Sequence, residues 1–213
     1  MIGDAGRILV PIMVVIFVLG SCSQFGDESI NVDHVSAPGL DFDYISISDN
    51  RIRTLHNLKY EVAMTRDFVV IKPKNRVDQF DNIPYKISLA AFIGSDSALM
   101  IHAEEVADSS GASDYGHLAP ADWPDGTFRS SGSACLRIPA QEVEEEHDLL
   151  WLRQNGFEPS GNILYAQYFA TTADMNTELV ISLLQQVPSC DQVFVNSKLI
   201  GELQAKTSIK KIE

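Results

Sequence analysis

Residues 8–20 carry no charged side chain and are apolar almost throughout, which cuts the amino terminus off from anything that can fold as a globular domain. A run of this length falls short of the ~20 residues that a membrane-spanning helix needs. Pro11 within it would kink such a helix. Arg7 and the terminal amino group supply positive charge just before the run, with Asp4 offsetting part of it. That order of charge, short apolar core and small residues predicts an export signal over residues 1–21.

The run closes on Leu19, Gly20, Ser21 and Cys22. These four residues resemble the lipobox of bacterial lipoproteins, in which an aliphatic residue and two small ones precede a cysteine. The resemblance covers the signal and its cleavage site only. It implies cleavage before Cys22, acylation of that cysteine with fatty acids such as palmitate, and a membrane partner reached through lipid. Two or three acyl chains anchor stably where one does not. Ser23 follows where an Asp would hold a lipoprotein at the inner membrane, so in a Gram-negative host the resemblance implies the periplasmic face of the outer membrane. Residues 22–40 then read as a polar tether, residues 41–204 as one globular domain, and residues 205–213 as a polar tail.

Export makes the remaining thiols informative. Cys135 and Cys190 are the two cysteines left, and an oxidising compartment favours their pairing. A net charge of -13 excludes nucleic acid as a natural partner, since phosphates call for Lys and Arg.

Patterning within 41–204 predicts an α+β domain with a mixed sheet. Strands are expected over 42–48, 58–64 and 68–72, with Pro73 stopping the ladder. A short helix follows over 76–80. Residues 86–93 and 98–103 form a hairpin about a turn at 94–97. In the second half a short strand over 135–138 leads into a helix over 141–155, with Pro139 near its start and Gly156 past its end. A strand over 163–170, a helix over 174–187 and a strand over 192–195 make a βαβ-like unit. A turn over 196–198 and a partner strand over 199–203 complete the domain. Both main helices are expected on one face. Parallel strands would bring Cys135 and Cys190, each at a strand start, to one sheet edge.

No nucleophile elbow, Ser-x-x-Lys pair or phosphate-cradling glycine loop is present, so no catalytic residue is assigned. Glu144 and His147 have a Glu-x-x-His spacing, but a di-iron bundle needs two such helices. His147 reads instead as a packing residue on the stripe Val143, His147, Leu150 and Trp151. His102 and Glu104, with Glu105 beside them, could hold a divalent cation but read more simply as the solvated side of a hairpin. Residues 108–134, rich in Gly, Ser, Asp and Pro, are expected to lack regular structure. Within them Asp114, Tyr115, His117, Asp122, Trp123 and Asp125 form the densest mixture of rings and acids on the chain. One reading makes Tyr115, His117, Asp122, Trp123 and Asp125 a ligand or partner surface. The other has Tyr115 and Trp123 plugging the edge of the core. The acids lack the alternation of a calcium loop, so neither metal nor cofactor is assigned.

These features point to a lipid-anchored protein of the cell envelope, more simply read as a non-catalytic binding or assembly module for an envelope protein or surface polymer. The alternative is a periplasmic hydrolase, or a metal- or solute-binding lipoprotein, that uses the 108–134 loop.

Overall fold

A computed structural model describes residues 41–80, 83–112, 114–123, 127–191 and 193–213. The export signal, Cys22, the 22–40 tether and Asp125 lie outside the described residues. So do the side chains of residues 193–197.

The domain is mostly β, and every strand pairing in it is antiparallel. In chain order the strands are β1 (Ile45–Ser48), β2 (Arg51–Thr54), β3 (Tyr60–Met64), β4 (Val69–Phe80), β5 (Ile83–Ile93) and β6 (Ser97–Val106). Then come β7 (Ala119–Pro120), β8 (Arg129–Ile138), the helices α1 (Ala140–Glu145) and α2 (His147–Gln154), β9 (Gly161–Thr171) and β10 (Thr177–Gln186). Helix α3 (Val193–Ala205) and strand β11 (Thr207–Lys211) close the chain. One sheet runs β4-β5-β6-β10-β9-β8-β7 and the other β1-β2-β3-β11.

This corrects the expected α+β fold and its βαβ-like unit. Residues 174–187 do not form a helix. Thr177–Gln186 is a central strand paired with β6 on one side and β9 on the other. Its apolar run is continuous because both faces are buried, and over a short stretch such a run fits helix and strand equally. The apparent helix cap at 171–174 is a hairpin turn: Thr172 bonds Asp174 through their side chains, and Asp174 accepts from the Asn176 amide. Such side chains serve turns and caps by the same local bonds. Two strands were expected over 192–195 and 199–203; residue 192 lies outside the described residues, and 193–203 belong to α3, which buries Ile200 and Leu203 one turn apart. The segment 205–213 is not a loose tail. It forms β11, with Ile209 opposite Val62 of β3.

The predicted 76–80 helix is strand as well. β4 continues past Pro73 because it is the edge strand, with an irregularity between Ile71 and Lys74 that accommodates the missing donor. The β5–β6 hairpin matches its expected place, with Gly94 N–H donating to the Ser97 carbonyl. The 141–155 helix is two helices broken at Glu146, whose backbone is extended. Gly156 ends the second with φ +100°; its amide bonds Arg153 O and the Phe157 amide bonds Leu152 O. These two bonds are a Schellman cap.

Side chains alternate across the large sheet. On one face Phe92, Leu99, Ile101, Leu179, Ile181 and Leu183 meet Ile45, Ile52, Tyr60 and Val62 of the small sheet, with α3 filling the margin. On the other, Met100, Leu89, Ile163 and Leu184 meet Val143, Leu149, Trp151 and Leu152 of the helix pair. The helix pair covers only part of that face. Beyond it lies a polar region roofed by the segment after β6.

Candidate functional site

His102 and Glu104 follow Met100 on β6 with the alternation of a strand, so both point into the face that carries the helix pair. They are buried, at 5 % and 6 % exposure. The expectation that they form a solvated hairpin side is therefore overturned: β6 is central, not an outer hairpin, and Asp148 of α2 and Tyr115 from the segment after β6 lie over its polar end. Glu178 of β10 stands directly opposite Glu104 in the register and is 2 % exposed. Two carboxylates thus share one row of the sheet, side by side out of water.

Further along the same face lies a buried ion network. Arg76 of β4 grips Asp148 of α2 with both terminal nitrogens, the second at 3.2 Å. Its Nε lies 3.3 Å from Asp78. His102 Nε2 lies 3.4 Å from Asp148 Oδ2 without the alignment of a hydrogen bond, and His102 Nδ1 lies 3.2 Å from Glu104. Burial works strongly against the charge on Asp148, but the charges of Arg76 and His102 outweigh it and hold the carboxyl below its ordinary range. The same balance keeps Arg76 firmly protonated: burial opposes its charge, and Asp148 more than compensates.

Beside His102, Glu104 and Glu178 is a chamber of about 20 Å³, the room one water molecule needs. Aromatic walls come from Phe80, Tyr85, Tyr115 and Phe169, and polar groups from His102, Glu104, Gln167 and Glu178. Gln167 donates to Ser182 Oγ at 3.3 Å across the β9–β10 pair. Its carboxamide oxygen, on a side chain 1 % exposed, has no hydrogen-bond partner among the described residues. Tyr115 stacks on Phe169 at 4.3 Å and donates its hydroxyl to Glu178 at 3.1 Å. Burial, then the charge of Glu178, raises the Tyr115 phenol far above its ordinary value, so it stays a donor at any working pH.

The sequence grouping of loop residues splits in space. Tyr115 reaches the chamber on one face of the sheet. Trp123 packs edge-on against Tyr168 at 4.8 Å on the other. Phe169 and Tyr168 are consecutive, so the loop straddles the sheet with one ring on each side. His117 and Asp122 are exposed, and His117 bonds the Asp114 carbonyl within its own turn. The 108–134 stretch is also more regular than expected, because β7 and the first half of β8 fall inside it. Of the candidate residues, then, the chamber holds Tyr115. Its other members, Gln167, Glu178, His102 and Glu104, come from central strands, and Arg76 and Asp148 lie behind them. The one available signal was the polar residue embedded in an apolar strand, Gln167 within 163–170.

Cys135 and Cys190 are joined, with Cα atoms 5.4 Å apart. The parallel-strand route to that pairing does not hold. Cys135 sits inside β8 opposite Leu164, and Cys190 lies in the connection from β10 to α3. Asn162 links the same region, bonding the Pro188 carbonyl from the start of β9.

His56 approaches the site from behind, its Nε2 3.0 Å from the Glu178 carbonyl. Burial lowers its pKa, opposed by that hydrogen bond and by the charges of Glu104 and Glu105. The folded state therefore binds fewer protons than the unfolded chain below about pH 6.5. Stability held above that pH is expected to fall on acidification toward pH 5. His56→Gln, which keeps a donor but does not titrate, should flatten the slope. Urea unfolding from pH 5 to 7 checks it; parallel slopes for the two proteins would contradict the assignment.

The fold and site together define an antiparallel two-sheet domain with a small acidic and aromatic chamber. No protein-family profile, curated protein or solved structure matches the chain.

Proposed function

We propose that this is a lipid-anchored protein of the cell envelope whose folded domain acts as a non-catalytic binding module. The observation that carries the binding role is the unpartnered Gln167 oxygen, buried in a chamber with two carboxylates and four aromatic rings. Buried polar atoms without partners are rare in folded proteins, and each calls for an explanation. A site that receives a polar group of a ligand supplies one. Polar groups few in number and converging within apolar walls are the usual make-up of a small-molecule site. Turnover is a poorer fit. A general acid and base must flank a reacting bond, whereas Glu104 and Glu178 are direct cross-strand neighbours on one sheet face.

The anchor rests on the lipobox resemblance at residues 19–22, which implies the envelope and, with Ser23, the outer membrane of a Gram-negative host. No described helix is long and apolar enough to cross a membrane. Intact-mass measurement of the protein purified from bacterial membranes tests the anchor. The expected species lacks residues 1–21 and carries diacylglycerol and an acyl chain on Cys22. A chain that retains Met1 with an unmodified Cys22 overturns it. Thermal-shift measurement of the folded domain with small amines and neutral amides tests the binding role, which a domain silent to all of them would contradict.

A further inference from the structure

We propose that the outer edge of β4 is closed to a second copy of this chain by two side chains, Asn50 and Asp78, which occupy backbone groups that a docking strand would need.

Among the described strands, β4 is outermost at its end of the large sheet. Such an edge offers unpaired N–H and C=O groups to any extended chain, and folded proteins commonly block it. The direction of each group on β4 follows from the register. Gly94 N–H donates to the Ser97 carbonyl directly opposite, at the end of the β5–β6 hairpin. Hydrogen-bonded pairs recur at every second residue of an antiparallel ladder. Even-numbered residues of β5 therefore bond β6, and odd-numbered ones bond β4. On β4 the residues facing those odd-numbered ones are Val69 and Ile71 before the register shift, and Lys74, Arg76, Asp78 and Phe80 after it. The amides that point away from the sheet thus belong to Val70, Asn75, Val77 and Gln79.

Side chains already hold the first and the last of these. Val70 N–H donates to Asn50 Oδ1 at 3.3 Å, and Asn50 Nδ2 donates to the Phe68 carbonyl at 3.4 Å. One carboxamide thus stands where the peptide group of a neighbouring strand would lie. Asn50 sits in the β1–β2 turn at φ +56°, a conformation that Asn tolerates better than most residues. At the other end Gln79 N–H donates to Asp78 Oδ1 at 2.8 Å. Between the two caps the register shifts from Ile71 to Lys74, across exposed Lys72 and Pro73. A bulge, a lysine and a residue without an amide each discourage strand addition. Asn75 and Val77 remain open, a stretch too short for a stable pairing.

A second copy is the occupant that the caps exclude. Two β4 strands paired antiparallel about Val77 would set one Val77 side chain, 53 % exposed, against the other and join two seven-stranded sheets. That register requires each Gln79 amide to reach the Asn75 carbonyl of the other copy, and Asp78 holds that amide. The chamber and the edge are separate, so the outcome of the test bears on the edge alone.

The test is sedimentation velocity across a wide range of concentration. It uses the mature chain, residues 22–213, with Cys22→Ser so that neither lipid nor a free thiol joins copies. Asn50→Gly removes one cap and keeps the backbone of the turn; Asp78→Ala frees the Gln79 amide. The parent chain is expected to remain a monomer and the double variant to shift to a concentration-dependent dimer. Adding Val77→Pro, which deletes an open amide at a position where an edge tolerates proline, should return the double variant to monomer. Circular dichroism checks the fold. If the loss of the Asp78 contact with Arg76 unfolds the double variant, Asp78→Glu replaces the alanine, since it keeps the charge but not the short reach to the adjacent amide. A folded double variant that stays monomeric overturns the proposal. So does association that survives Val77→Pro, and so does a parent dimer that Val77→Pro dissolves.

Discussion

Arg76→Ala is expected to destabilise the domain by about 3 to 5 kcal/mol, the usual result of removing one partner of a buried ion pair. Arg76 spans two layers: it belongs to β4 of the large sheet and grips Asp148 of α2, which is only 6 % exposed. Without the guanidinium, Asp148 keeps its desolvation and loses the largest charge that offsets it, which leaves the weaker influence of the nearby His102 and His147. The sign of the pH dependence follows. In the wild type the Asp148 carboxyl titrates below its ordinary value, so its stabilisation is present above about pH 4 and is lost below it. In the variant burial dominates and raises the carboxyl, so the deficit should shrink as pH falls from 7 to 5. Replacing both partners by apolar residues, Arg76→Met with Asp148→Leu, should recover most of the loss, because no charge is left stranded. Urea unfolding of the three proteins decides the matter. An Arg76→Ala penalty under about 1 kcal/mol would mean that the pair is solvated and contributes as little as a surface ion pair.

Cys135→Ser and Cys190→Ser should each lower stability by about 4 kcal/mol in the chain-entropy account, given a separation of 55 residues. The loop they close contains α1, α2, β9 and β10, so opening it frees a large part of the unfolded chain. Either substitution removes the same bond. The two effects should therefore be equal, and the double variant should be no worse than either single one. Denaturant midpoints of the three variants, compared with the reduced wild type, provide the check. Unequal penalties would show that one thiol contributes packing beyond the bridge, and a double variant clearly worse than both singles would rule out a shared bond.

Sequence reasoning succeeded where local chemistry had one outcome. The β5–β6 hairpin follows from two β-prone runs around Gly94, Ser95 and Asp96. Gly156 ends a helix because only a residue at ease with positive φ completes that cap. It failed where the same residues serve two structures. The run through Leu179, Val180 and Ile181 is apolar at every step, so its period says nothing, and its place between β6 and β9 makes it a strand. The site failed to show itself for a related reason. His102, Glu104 and Glu178 are polar residues at the alternating positions that a two-sided sheet exposes to water. Nothing within β6 or β10 announces that α2 and the Tyr115 segment cover that side.

The sequence by itself determined the terminal apolar run closing on Cys22, the acidity, the two thiols with each other as partners, the turn about Gly94 and the helix end at Gly156. These are matters of composition and of neighbours along the chain. Only the tertiary structure decided that Thr177–Gln186 is a strand, that the last residues join the small sheet, and that Glu104, Glu178 and Gln167 enclose a common space. Each of those depends on which surfaces are withdrawn from water. Burial is set by elements distant in sequence, and a residue's own periodicity carries no record of them.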